Sequence, residues 1–132
     1  MNQLDLEINI VDHEGVTLFE LAGELDAYTS EQFREAILSR IDSGLRLAVV
    51  DFLKVEYIDS SGLGAMVAAL KRISERNGRI YVVCGESQVL KVLHITGLEK
   101  VFPVFPERNA AIEAIRKHDL ESTTDVSATE AK

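Results

Sequence analysis

The chain has 132 residues and a mass of 14.6 kDa, which is the size of one domain that buries roughly two-thirds of its unfolded surface and needs no stabilising crosslinks. It carries 22 acidic and 14 basic residues, a net charge of −8, which argues against a nucleic-acid-binding protein because such proteins need a basic face. Cys84 is the only cysteine, so a disulfide within the chain is excluded.

The first predicted elements are two strands joined by a turn. Residues 4–11 alternate apolar and polar side chains, the two-residue period of a half-exposed strand. Residues 13–15, His-Glu-Gly, predict a turn, and residues 16–22 predict a second strand that pairs with the first. The segment Gly-Glu-Leu-Asp at residues 23–26 then breaks the strand pattern.

A helix and a buried strand follow. Thr29 or Ser30 can cap the helix, which carries its apolar residues on one face and ends at Ser43-Gly44. Residues 45–52 are mostly apolar, which predicts a strand inside the sheet.

The rest of the chain alternates between helix and strand: a helix over residues 61–76, a strand over 79–84, a helix over 86–95, a short strand over 100–105 and a helix over 109–117. The order β-β-α-β-α-β-α-β-α favours an α/β domain with amphipathic helices on a mixed, largely parallel sheet. Residues 47–50 and 80–84 should be central and the first strand near an edge. We expect one domain over residues 1–117, and a disordered acidic and Ser/Thr-rich tail over residues 118–132.

The most informative segment is residues 57–64, Tyr-Ile-Asp-Ser-Ser-Gly-Leu-Gly, which lies where the central helix should begin. Apolar residues recur after it at helical spacing: Leu63, Met66, Val67, Leu70 and Ile73. Ser60 or Ser61 is therefore expected at the N-cap, and Asp59 either positions the serines or caps the helix itself. Because free N–H groups and the helix dipole favour negative charge, the segment is suited to hold a phosphate and so to be modified.

Other chemistries lack a necessary component. Ser60 or Ser61 as an acyl-transfer nucleophile would need a neighbouring base, and none of the three histidines is placed beside them by the pattern. Gly62-Leu63-Gly64 lacks the third glycine and the lysine of nucleotide-binding loops. Asp51 lacks the acidic cluster of a phosphoacceptor receiver domain, and the histidines and Cys84 lack metal-ligand spacing. We therefore expect no enzymatic activity, no cofactor and no metal site.

Two motifs together resemble a known family. The segment Leu-Ala-Gly-Glu-Leu-Asp-Ala-Tyr-Thr at residues 21–29, Val-Asp-Phe at 50–52 and the segment 57–64 are similar to the STAS-domain anti-sigma factor antagonists of bacteria. The resemblance extends from about Leu4 to Lys117 and implies a STAS-like single domain. The tail beyond Lys117 lies outside it.

The resemblance implies a regulatory switch. In proteins of this family the unmodified antagonist binds an anti-sigma factor that is also a serine kinase, and this binding releases the sigma factor. The kinase uses ATP to phosphorylate the antagonist, which then dissociates, and a PP2C-type phosphatase resets it. The acceptor is the serine directly after the motif aspartate, here Ser60, with Ser61 as the second choice. Asp26 corresponds to the family's acid beside the phosphorylation site.

The same resemblance predicts which residues border the partner: Ser60, Ser61, Gly62, Leu63 and Met66, together with Asp59, Glu24 and Asp26. Leu63 could instead be wholly core, and Met66 and Val67 fit the core better than a contact surface. Tyr28 and Tyr57 fit either a rim position or ordinary packing.

An alternative function keeps the fold without the phosphoswitch: a STAS scaffold or ligand-binding subunit in a transport or multi-protein signalling assembly. The N-terminus shows no signal peptide and no apolar run approaches the ~18 residues that span a bilayer, so we expect a cytoplasmic protein without membrane insertion.

Overall fold

A computed structural model of the chain describes residues 5–130, and the side chains of residues 5–122. In that part of the chain the elements are β1 Leu6–His13, β2 Val16–Leu25, α1 Ser30–Asp42, β3 Leu47–Ile58, α2 Ser60–Ser74, β4 Arg79–Val83, α3 Gln88–Thr96, β5 Val104–Phe105 and α4 Arg108–Glu130. A single 3-10 turn, Leu98–Lys100, connects α3 to β5. The predicted order of strands and helices is confirmed.

The five strands form one sheet in the order β1-β2-β3-β4-β5. β1 and β2 are antiparallel, and the other neighbouring pairs are parallel. The sheet is therefore mixed and largely parallel, as predicted. β1 lies at an edge and β3 at the centre, in agreement with the alternating pattern of the first and the apolar run of the second.

Helices cover the two faces of the sheet unequally. α1, α2 and α3 pack on one face, where Val50 and Phe52 of β3 belong to the larger apolar core. α4 packs on the other face against a smaller core that contains Leu47 and Val49. Successive side chains of β3 point to opposite faces of the sheet. Because helices cover both faces, the first half of the strand is mostly apolar.

Several predicted boundaries were wrong. β2, expected over residues 16–22 and broken by residues 23–26, continues to Leu25 because β3 still pairs with it there. Residues 53–58, expected to separate strand from helix, continue β3 because β2 still pairs with them as far as Ile58. The last strand contains only Val104–Phe105, since Lys100 ends the 3-10 turn and residues 101–103 connect that turn to the strand without regular structure.

A further difference concerns the terminal helix, which does not end at Lys117. α4 continues to Glu130, so residues 118–122, expected in a disordered tail, are helical and contact the domain. Arg46 pairs with Asp119 at 3.0 Å, and the Tyr81 hydroxyl is hydrogen-bonded to the ring of His118. A polar composition did not reveal these contacts because each joins residues far apart in sequence.

Candidate functional site

The two predicted motifs meet at the carboxyl ends of β2 and β3. In the parallel register Glu24 lies opposite Tyr57, and Leu25 opposite Ile58. The backbone N–H of Asp59 then donates to the carbonyl of Leu25, at 3.2 Å, directly before α2 begins. The fold therefore brings the end of β2, with Asp26 directly after it, and the serines to the same end of the sheet.

Asp59, and not a serine, is the N-cap of α2. Its backbone is extended, and its Oδ1 accepts hydrogen bonds from the N–H groups of Ser61 at 2.9 Å and Gly62 at 3.2 Å. One carboxylate oxygen thus satisfies two of the unpaired N–H groups at the helix start. The prediction that Ser60 or Ser61 occupies the N-cap was wrong, and Asp59 takes the capping role that was its alternative.

Capping by Asp59 leaves Ser60 at the first helical position with its side chain exposed. Within the described residues the Ser60 hydroxyl makes no hydrogen bond. Ser61 is only partly exposed, and its N–H is engaged by Asp59. Of the two serines, Ser60 is therefore the more accessible to another macromolecule.

Gly62 brings the start of α2 against the end of β2. A Cβ added there would lie 2.7 Å from the carbonyl oxygen of Leu25 and 2.8 Å from Cγ1 of Ile58. A Cβ at Gly64 would meet nothing within 4 Å. Of these two glycines, only Gly62 is needed for a close approach to the neighbouring strand.

Asp26 and Thr29 shape the loop beside the serines. The Thr29 hydroxyl donates to the carbonyl of Glu24 at 2.7 Å and accepts from the N–H of Asp26 at 2.9 Å. Oδ1 of Asp26 accepts from the N–H groups of Tyr28 at 2.9 Å and Thr29 at 3.1 Å. Thr29 occupies the N-cap position of α1, but its hydroxyl bonds to the loop instead of to the helix, so the expected side-chain cap is absent.

The exposed face of α2 is defined by Ser60, Leu63, Gly64, Val67 and Lys71, which recur at helical spacing. We call it the α2 face. Leu63 is half-buried, while Val67, expected in the core, is 44% exposed. Met66 is fully buried and Gly62 is also buried, so neither belongs to the exposed surface of α2, and a partner contact by either residue stays a prediction. The side of α2 that carries Met66 faces the sheet, and its apolar residues belong to the larger core.

Two aromatic residues lie at the same end of the domain. Tyr28, in the loop before α1, is 88% exposed, and Tyr57, near the end of β3, is 42% exposed. Glu24 and Asp26, at the same end of the sheet, are partly exposed. The rim position considered for both tyrosines agrees with this exposure.

Gln88 is a residue that the sequence did not single out. Its side-chain Oε1 accepts from the N–H of Ile58, and its Nε2 donates to the carbonyl of Ile58, both at 2.9 Å. The contact joins residues 30 apart. No local pattern could reveal it, because a glutamine at the start of a helix is ordinary.

A second polar cluster lies on the face of the sheet that α4 covers. Arg108, the first residue of α4, pairs with Glu20 of β2 and with the buried Asp51 of β3. Oδ1 of Asp51 also accepts from the N–H of Leu53 at 2.8 Å. These contacts join the start of α4 to the sheet, which is a structural role for Asp51.

No group of three metal-ligating side chains is brought together in the described part of the chain. None of the helices that the structure describes is both long and apolar enough to cross a membrane.

Comparison with known proteins gives consistent matches. The family model described as the STAS domain matches residues 7–111. An anti-sigma F factor antagonist from Paenibacillus polymyxa is 33% identical over 115 residues, which cover 83% of this chain and 96% of the relative. An anti-sigma-B factor antagonist from Listeria monocytogenes is 30% identical over 102 residues, which cover 76% of this chain and 88% of the relative. The crystal structure of an anti-sigma factor antagonist from Mycobacterium paratuberculosis has a TM-score of 0.78 at 29% identity, covering 84% of this chain and 94% of that one. This chain therefore belongs to the STAS domain family.

Proposed function

We propose that this chain is an anti-sigma factor antagonist controlled by phosphorylation of Ser60. Unmodified, it binds an anti-sigma factor that is also a serine kinase, and the sigma factor is released. The names of the relatives, anti-sigma F and anti-sigma-B factor antagonists, support the role. The observation that carries the switch is the exposed hydroxyl of Ser60 at the start of α2, directly after the capping carboxylate.

The binding surface in this proposal is the α2 face together with Tyr28, Tyr57, Glu24 and Asp26. It combines exposed apolar groups, such as Val67, with carboxylates at its edge. Protein interfaces commonly have such a composition, with an apolar and aromatic centre and a polar rim. The acidic rim suits a partner that presents basic side chains, and complementary charge raises the rate of association.

Phosphorylation of Ser60 would add about −1.5 to −2 charges at this surface. Within the free domain the helix start stabilises an anion by typically 0.3–1 kcal/mol, while the Asp59 carboxylate next to it opposes the charge. These effects are small and of opposite sign, so the domain should stay folded.

At a docked interface the same charge has a larger effect. A dianion that loses water without gaining a cation costs several kcal/mol. Because about 1.4 kcal/mol is tenfold in affinity, phosphorylation should weaken the complex at least a hundredfold without refolding the domain. The exposed position of Ser60 also leaves a phosphate accessible to the PP2C-type phosphatase that would reset the switch.

The test uses the cognate anti-sigma kinase with ATP, and mass spectrometry to locate the phosphate. We expect it on Ser60 in the wild type and in Ser61→Ala, and no phosphorylation of Ser60→Ala. In binding assays Ser60→Glu should lose affinity. Ser74→Glu is the matched control, because Ser74 is an exposed serine at the opposite end of the same helix. If Ser60→Glu and Ser74→Glu bind as tightly as the wild type, the switch is wrong, and constitutive binding to a membrane transport subunit would support the scaffold alternative.

A further inference from the structure

The end of β3 lacks a strand on one side. β4 pairs with β3 only from Leu47 to Asp51, where Val83 is the last partner residue. β3 nevertheless continues to Ile58, paired on its other side with β2. Backbone groups at the end of β3 that face the missing strand need other partners, because buried N–H and C=O groups are rarely left unpaired.

The Gln88 side chain supplies such partners for Ile58. A primary carboxamide has one acceptor oxygen and an N–H donor side by side, the same pair of groups that a peptide unit of a neighbouring strand presents. Both groups are used, at 2.9 Å each, on the N–H and the carbonyl of Ile58. Gln88 thus replaces one strand residue at the point where β4 is absent.

Ile58 is followed at once by the residues that present the acceptor serine. The N–H of Asp59 is held by Leu25 on the β2 side, and its carboxylate caps α2. The two residues before Ser60 are therefore held from opposite sides, one by β2 and one by α3. Removal of either support leaves the start of α2 free to shift relative to the sheet.

We propose that Gln88 is a positioning residue that holds Ser60 in the geometry required for phosphoryl transfer. Its kinetic consequence rests on the proposed function, whereas its effect on the backbone can be measured in the free protein. A small displacement of an acceptor hydroxyl lowers turnover strongly, since a misplacement of about 1 Å can cost on the order of a hundredfold. The partner surface itself is unchanged, so the loss should fall on kcat and not on KM.

The first experiment measures amide hydrogen exchange of the free chain in the wild type and in Gln88→Ala. Loss of two hydrogen bonds should speed exchange at Ile58 and Asp59 by about tenfold. Gln88→Met is the second variant, which keeps the length of the side chain but has neither an N–H to donate to the Ile58 carbonyl nor a carbonyl oxygen to accept the Ile58 N–H. It should show the same acceleration, and it decides the question if Gln88→Ala does not fold.

Two controls separate positioning from a general weakening of the fold. Ser87→Ala removes the side-chain cap of α3, where Oγ accepts from the N–H of Leu90 at 3.3 Å, and leaves the Gln88 contacts intact. Gln32→Ala removes a similar bond, from Nε2 to the carbonyl of Leu6 at 3.1 Å, on β1. Neither control should speed exchange at Ile58 and Asp59.

The second experiment measures phosphorylation of Ser60 by the cognate kinase. Both Gln88 variants should lower kcat by about tenfold with KM within twofold, and both controls should keep the wild-type values. Unchanged exchange in the Gln88 variants, or equal acceleration in Ser87→Ala, overturns the positioning role. If the wild type itself is not phosphorylated, the proposed function fails, and the exchange measurement alone then decides whether Gln88 holds this segment.

Discussion

Substitution of Gly62 by alanine tests the close contact that sets the start of α2. The new Cβ would lie 2.7 Å from the Leu25 carbonyl oxygen and 2.8 Å from Cγ of Leu25. These separations are shorter than van der Waals contact, so the neighbours must move. The carbonyl is backbone, and it also accepts the hydrogen bond from Asp59, which restricts its movement.

The expected size follows from two opposing effects. Overpacking of a closely packed site typically costs about 1–3 kcal/mol. Alanine is favoured over glycine within a helix by roughly 0.5–1 kcal/mol. We therefore expect Gly62→Ala to lower the free energy of unfolding by about 1–2 kcal/mol, since the clash exceeds the gain in helix propensity.

Gly64→Ala is the matched control, two residues along the same helix. A Cβ there meets nothing within 4 Å, so only the helix propensity remains, and the variant should be more stable by about 0.5–1 kcal/mol. Urea unfolding followed by circular dichroism measures both variants against the wild type. If Gly62→Ala is as stable as Gly64→Ala, α2 does not approach β2 as closely as the structure shows, and the reasoning is refuted.

Three other substitutions or reactions test separate parts of the structure. Arg108→Ala should lower the free energy of unfolding, measured in urea, by about 1–3 kcal/mol, because it leaves the buried Asp51 carboxylate without its cation. The loss is kept at this size because the arginine is partly exposed and solvent screens its charge. Adding Asp51→Asn should recover part of that loss, and a double variant no more stable than the single would contradict the pairing. Asp59→Ala should cost about 1 kcal/mol through loss of the α2 cap, whereas Asp59→Asn should stay near the wild type, and equal losses in both would argue against capping. Burial raises the pKa of the Cys84 thiol above its usual 9.0. The protonated thiol therefore contributes fully to the stability of the fold below pH 9.0, and this contribution is lost as the pH rises through the pKa of the folded state. A thiol-specific reagent at pH 8 should therefore modify Cys84 slowly in the native protein and rapidly in urea, and rapid modification of the native chain would contradict its burial.

Local pattern was sufficient for the order of the elements. The alternation in β1 and the apolar run in β3 each indicate how many faces of a strand are buried, and this places the first strand at an edge and the second at the centre. The motif around Ser60 also placed a helix start correctly, because serine, aspartate and glycine followed by apolar residues at helical spacing favour one.

The residues that complete the site depended on tertiary structure. Sequence could not decide between Asp59 and the serines as the cap, because all three side chains can accept a backbone N–H, and only the extended backbone of Asp59 selects it. Met66 and Val67 are adjacent on the same helix, yet one is buried and the other is 44% exposed, because the direction in which α2 lies on the sheet determines which side is covered. The pairing of Gln88 with Ile58 and of Asp119 with Arg46 arises only when distant segments are packed together, since neither pair has a local signal in the chain.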